Sequence, residues 1–435
     1  MRSCIQRKND VSTLILANIN SEALLLKVIV QLIVIIAAAR IGGWIFKKLG
    51  QPQVVGEIAT GLLLGPSCFG RLNPQLSAQI FPEGTGEIFM VLGQLGLIFL
   101  MFIVGLEFDF GHLRTIGRTA AGVALAGIAL PFGMGACLAW CIHSQVAAEY
   151  SLPGFVLFMA TALSITAIPI LGRIMMEFGI TRTTLGVLTI SAAAVDDAIG
   201  WMLLAAVSAA VRGSFSLLPV LQMLGWTALF IAAVFFVVRP IVCHWSQRIL
   251  DDNNGVLRLV PFSIVLLLVL TSAVLTNWIG IFSIFGPFVL GASLCDQPAL
   301  QKAIRLRLED FVTAFFLPVF FTYTGLRTDI GTLDSMFLWA VCGLVVTVAI
   351  VGKVVGCGAA ARLSGLSWRD SASVAIMMNT RALMGLIAVN IGRDLGVIPD
   401  TIFCIMVIMA IVTTLMTSPI LRRLLRVELS GQTAG

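Results

Sequence analysis

The sequence predicts an all-α polytopic membrane protein of about thirteen crossing helices, an expectation built on apolar content, run length and the placement of charge. Of the 435 residues, 58% are hydrophobic and only 11% charged, with a mean hydropathy of +1.01, whereas soluble domains carry about 25% charged residues. The apolar residues come in runs, many of them reaching the roughly 20 residues that a crossing helix needs. Counting the runs predicts helices at 23–46, 53–67, 88–106, 119–142, 153–177, 184–211, 217–247, 257–277, 279–296, 309–327, 334–362, 368–393 and 399–423. The loops test that count, because Lys and Arg collect on the cytoplasmic side. Loops after odd-numbered helices hold Lys47, Lys48, Lys302, Arg305, Arg307, Arg422, Arg423 and others, whereas those after even-numbered helices hold Arg71, Arg212, Arg327 and Arg393. The bias predicts an N-terminus outside and a C-terminus in the cytoplasm, as in a bacterial inner membrane.

The same composition narrows the function. A net charge of +6 is spread over short loops rather than gathered in one patch, so nucleic acid is not the expected partner. Nine cysteines without a CxxC pair and only three histidines indicate neither a disulfide framework nor a zinc site. Residues 1–22 read as an N-terminal tail without a cleavage site, 23–423 as the transmembrane unit and 424–435 as a second tail.

Two features suggest inverted-topology repeats. The short second and ninth spans each carry glycines five apart, Gly56 and Gly61 in one, Gly286 and Gly291 in the other. An offset of seven helices places the two copies in opposite orientations. The fifth span is interrupted by Ser164, Thr166 and Pro169, and the twelfth, again seven later, by the polar run Asn379, Thr380 and Arg381. Unwound backbone at membrane depth survives only where it lines a cavity or is buried in protein, so this pair of broken helices points to a substrate site between them.

Few charges remain inside the membrane: Lys27 and Arg40 near the ends of helix one, then Glu57, Asp196, Asp197, Lys353 and Arg381. An acid at bilayer depth is disfavoured by at least roughly 2.5–3.5 kcal/mol, which makes the adjacent Asp196 and Asp197 the default ion or proton site. Lys353 needs a carboxylate partner, and this acidic pair lies at comparable depth. Neighbours on a helix point about 100° apart, so one aspartate can pair while the other faces the cavity. Arg381 would compensate partial charges at helix ends. Glu57 is either functional or bonded within helix two, and Glu107 and Asp109 read as solvated at the end of helix three.

Several motifs carry a resemblance to a known family. Val55–Ser67 (VGEIATGLLLGPS), the GLEFD run ending at Asp109, Ala162–Pro169 (ALSITAIP), Ala194–Asp197 (AVDD), Thr324–Asp329 (TGLRTD) and Met378–Arg381 (MNTR) occur in order, and the similarity covers about residues 25–423. The chain resembles the second monovalent cation/proton antiporter family. That resemblance implies the sodium/proton antiporter fold, a homodimer, and elevator-type alternating access. It divides the chain into a translocating core, 88–211 and 309–423, and a dimerisation part, 23–67 and 217–296. It implies that Asp197 carries cation and proton, that Asp196 pairs with Lys353, and that two acids favour electrogenic Na+/H+ exchange, with K+/H+ exchange the alternative. Thr166 and Ser164 would complete the Na+ or K+ site with Asp197 and Asp196. One departure stands out: the usual Arg-Gly-Leu-x-Glu-Leu of helix twelve reads Arg381-Ala-Leu-Met-Gly385-Leu, without the acid. No cofactor, no catalytic nucleophile and no nucleotide-binding domain are expected, so the expected activity is transport across the lipid bilayer rather than enzyme chemistry. A cation channel or ion-gated sensor on the same scaffold is the remaining reading.

Overall fold

Helix can run on through a long stretch without Gly or Pro, and the first element illustrates this. The computed structural model describes residues 2–82, 84–107, 117–166, 168–180, 183–212, 217–252 and 257–432, so Asp109 lies outside the described residues. Helix α1 spans Arg2–Lys48. The expected tail at its start is therefore helical, because neither Gly nor Pro occurs before Gly42 to stop it. After it come α2 (Gln53–Leu64), the short α3 (Phe69–Leu72) and α4 (Pro74–Ile80), α5 (Gly86–Leu106) and α6 (Gly117–Val146). The fifth predicted span is two half-helices, α7 (Leu152–Ser164) and α8 (Ile168–Glu177), and α9 (Thr184–Arg212) carries the aspartates.

Helix α10 (Leu217–Ala233) passes through a π-helical turn, Val234–Val238, into α11 (Arg239–Asp252). Helix α12 (Leu259–Ile279) stops at Gly280, whose φ of +99° only glycine adopts readily. That stop shortens the predicted ninth span to α13 (Phe285–Ser293). The tenth begins earlier than its hydropathy suggests: α14 (Pro298–Phe311) joins α15 (Leu317–Leu326) through a second π-helical turn, Val312–Phe316. Its first turns carry Gln301, Lys302, Arg305 and Glu309, so an apolar count misses them, while Pro298 fits a helix start, where its missing N–H is no loss. Helix α16 (Met336–Leu363) precedes a second broken pair, α17 (Trp368–Met378) and α18 (Ala382–Asp394), and α19 (Asp400–Gln432) closes the chain. Among the described residues there is no strand, and eight helices are long and apolar enough to cross a membrane. This is an integral membrane protein.

The helices pack in two groups. In one bundle, α6 lies against α7, α9 and α16, and α17, α18 and α19 complete it. In the other, α2 packs on α1 and α15, and α5 packs on α13 and α15. Helices α9 and α10 form the main link between the groups. The repeated glycines act alike in the second group: a Cβ on Gly61 would strike the Thr322 carbonyl on α15, and one on Gly291 would strike the Phe102 carbonyl on α5. In the same way Gly56 lies against Gly42 of the preceding α1, and Gly286 against Ser272 of the preceding α12. Each repeat's short helix thus packs once on its own preceding helix and once on a helix of the other repeat.

Candidate functional site

The break between α7 and α8 exposes carbonyls that a continuous helix would have satisfied, and two cations from other helices take them. Leu163 and Ser164 form the last turn of α7. Arg381, in the break between α17 and α18, donates one guanidinium nitrogen to the Leu163 carbonyl and another to the Ala349 carbonyl of α16 at 2.8 Å. Lys353 Nζ donates to the Ser164 carbonyl. A helix C-terminus carries a partial negative charge, so both cations sit where a half-helix attracts them. Arg381 and Lys353 are both fully buried.

The second break is closed by the first. Thr166 Oγ1 donates to the carbonyl of Met378, the last residue of α17, at 2.8 Å. The Thr166 backbone N–H donates to Asp196 Oδ2 at 2.8 Å, and Asp196 Oδ1 accepts from Lys353 Nζ at 2.8 Å. Both Asp196 oxygens are thus engaged, in a fully buried ion pair whose remaining polar atoms find backbone partners. Asp197 differs from its neighbour. It is equally buried, yet neither of its oxygens has a hydrogen-bond partner among the described residues. The turn of about 100° between adjacent helical residues is the cause: one aspartate faces α16 and the break, and the other points elsewhere.

The other residues singled out in the sequence take smaller parts. The Ser164 hydroxyl donates to the Thr161 carbonyl of its own helix, so only its backbone joins the centre. Asn379 Nδ2 meets Met416 Sδ at 3.5 Å while its Oδ1 has no partner among the described residues. Thr380 and Thr417 hydroxyls lie 3.2 Å apart, tying the break to α19. Glu57 is buried on α2 in the second helix group, where its carbonyl accepts from Thr322, and it is not part of the aspartate centre. Glu107, read as solvated, is half-exposed and ion-paired at 2.8 Å with Arg305 of α14. Gly385 lies one helical turn beyond Arg381, and a side chain there would meet the Arg381 and Ala410 Cβ atoms at 3.7 and 3.8 Å, ordinary contact distances. Sequence reasoning missed the carbonyls of Leu163, Ala349 and Met378, since backbone acceptors leave no residue-type signal.

A centre of this kind has no nucleophile paired with a base, and the described residues hold no cluster of three or more metal-ligating side chains. It offers a buried carboxylate with open oxygens, beside a carboxylate neutralised by lysine. That arrangement suits the reversible binding of a proton or a small cation.

Comparison with known proteins agrees with the fold. The family model described as sodium/hydrogen exchanger, transmembrane, matches residues 34–427. The chain is 40% identical over 403 residues to the Na(+)/H(+) antiporter NhaS4 of Synechocystis, covering 91% of this chain and 96% of that protein. It is 38% identical to cation/H(+) antiporter 20 of Arabidopsis thaliana and 27% identical to K(+)/H(+) antiporter 1 of Saccharomyces cerevisiae. These alignments cover 90% and 86% of this chain but only 47% and 44% of those proteins, so the chain spans about half the length of these two relatives. The solved sodium proton antiporter MjNhaP1 of Methanocaldococcus jannaschii shares its fold at a TM-score of 0.62, with 18% identity over 92% of this chain and 96% of that one. The chain belongs to the sodium/hydrogen exchanger family of transmembrane proteins.

Proposed function

We propose that this chain is a secondary transporter that exchanges protons for a small monovalent cation, Na+ or K+, with Asp197 as the carrier. The observation that carries this reading is the asymmetry of the acidic pair: Asp196 is held by Lys353 and Thr166, while Asp197, as deeply buried, has open oxygens. A deprotonated Asp197 binds the cation, protonation expels it, and competition for one carboxylate couples the two flows. Thr166 and nearby carbonyls would complete the cation's oxygen shell. Proton binding at the Asp196 and Lys353 pair in the same cycle would make exchange electrogenic, and each charge crossing 100 mV then contributes about 2.3 kcal/mol.

The packing supports a division of labour for alternating access. The bundle of α6 to α9 and α16 to α19 holds the whole centre and would move as the core. The group built on α1, α2, α5 and α13 to α15 would be the scaffold and the site of homodimer contact. On this reading α5 and α15, the third and tenth spans, would belong to the scaffold rather than to the core that the family resemblance implied. The basic loops favour an N-terminus outside and a C-terminus in the cytoplasm of a bacterial inner membrane.

Sodium is the first choice of ion, since the 40% identical relative is named a Na(+)/H(+) antiporter; a relative named for K(+) keeps potassium as the alternative. The test is a pH-dye assay in proteoliposomes comparing Na+, K+ and Li+ across pH. Cation-induced proton movement with one preferred ion is the expected result. Absence of proton movement with all three ions overturns the reading.

A further inference from the structure

The unsatisfied groups of α9 do not stop at Asp197. Trp201 Nε1 and Ser208 Oγ also lack a hydrogen-bond partner among the described residues, and both residues are only 1% exposed. Their spacing matters: positions 197, 201 and 208 fall within about 40° on one helix face and climb about 16 Å toward its Arg212 end. A buried polar group without a partner is disfavoured, and native proteins rarely tolerate three on one face unless water or a ligand serves them. A small cavity of about 20 Å³, room for about one water, adjoins Trp201, lined also by Met202, Ala205, Met223, Leu224, Thr227, Ile281 and Phe285. It lies where α9 of the bundle meets α10 and the start of α13, at the seam across which the bundle would move. The Thr227 hydroxyl donates to the Met223 carbonyl of its own helix, so the Trp201 N–H is the unengaged polar group at this cavity among its described lining.

We propose that the Asp197, Trp201 and Ser208 face of α9 is one wall of the ion route, the half that joins the carrier to the Arg212 end of the helix. The proposal rests on exchange at Asp197. Trp201 and Ser208 act as positioning residues for a hydrated monovalent cation in transit. The indole N–H only donates, so it holds a water oxygen, whereas the serine hydroxyl both donates and accepts and can take the ion or its water. Leu204, buried on the same face between them, and the apolar lining of the cavity interrupt the track. Passage therefore requires the seam to shift, which closes this half of the route whenever the bundle is in the other position.

Two measurements decide this. In a cysteine-free background, Ser208→Cys is exposed to a charged, membrane-impermeant thiol reagent from either side, with Ala206→Cys on the opposite face as control. Labelling of position 208 from the Arg212 side, faster than at 206, is expected; no labelling, or labelling only from the other side, overturns the route. Labelling needs no turnover, so a chain that fails to exchange cations would sink the functional reading while this result still decides the route. In oriented vesicles, Trp201→Phe keeps an aromatic ring, smaller than the indole, and removes the N–H. The apparent KM for the cation on the Arg212 side should rise about threefold to tenfold, the size of one lost hydrogen bond, with little change on the other side. Ser208→Ala should show the same asymmetry and serves if Trp201→Phe does not insert. Equal change on both sides, or on neither, refutes a positioning role.

Discussion

Lys353 Nζ lies 2.8 Å from Asp196 Oδ1, while Asp197, the next residue, offers two buried oxygens with no partner among the described residues. Two identical side chains, adjacent in sequence, are thereby given different surroundings by one lysine and one backbone N–H from outside their helix. Removing one member of a buried ion pair leaves the other charge uncompensated, which costs about 3–5 kcal/mol. Lys353→Gln alone should therefore lower the melting temperature in detergent sharply, and Asp196→Asn with Lys353→Gln should recover most of the loss. If the pair carries a charge through the cycle, Lys353→Gln should also make transport less responsive to an imposed membrane potential. An unchanged voltage response would separate the pair from transport.

Asp197→Asn preserves shape and removes the charge. It should insert and melt like the parent, because no hydrogen bond is lost among the described residues, yet show no cation-dependent proton flux in proteoliposomes. Retained flux would assign the carrier elsewhere.

Thr166 ties the two broken helices together through the Met378 carbonyl. Thr166→Val keeps the volume but strands that carbonyl, a loss of about 1–3 kcal/mol. The expected outcome is a lower melting temperature together with a raised KM for the cation. A fall in stability with no change in KM would confine Thr166 to holding the break.

Competition for one carboxylate has a signature in pH. Raising the cation concentration should move the acid limb of the activity profile to lower pH, because a higher proton concentration is then needed to displace the cation. Profiles measured at several cation concentrations check this; an acid limb that stays fixed would place proton inhibition at a separate site.

The glycine contacts of the second helix group also make a prediction. Gly291→Ala drives a methyl group into the Phe102 carbonyl, and Gly61→Ala drives one into that of Thr322. Overpacking of this kind costs about 1–3 kcal/mol, so each variant should melt earlier. Gly385→Ala, where contacts are ordinary, should be nearly neutral. Thermal unfolding in detergent distinguishes the three.

Residence in a membrane, the approximate course of the helices and the two helix breaks are legible in the residues alone. Those properties are local: apolar run length, Pro169, and the polar Asn379 to Arg381 are readable one segment at a time. Asp196, Asp197, Lys353 and Arg381 are legible too, because a charge in an apolar run is conspicuous whatever surrounds it. Run counting failed at Pro298, where a polar first turn hides a helix start, and just past Gly280, where the left-handed stop delays the ninth helix to Phe285. What each charge touches is set by packing: Arg381 and Lys353 share the open end of α7, Thr166 bonds across to Met378, and of the two acids Asp197 keeps oxygens open among the described residues. The reason is physical. These partners are mostly backbone carbonyls brought together from segments about two hundred residues apart, and a carbonyl, present in every residue, leaves no mark in a sequence until packing has chosen which ones remain unsatisfied.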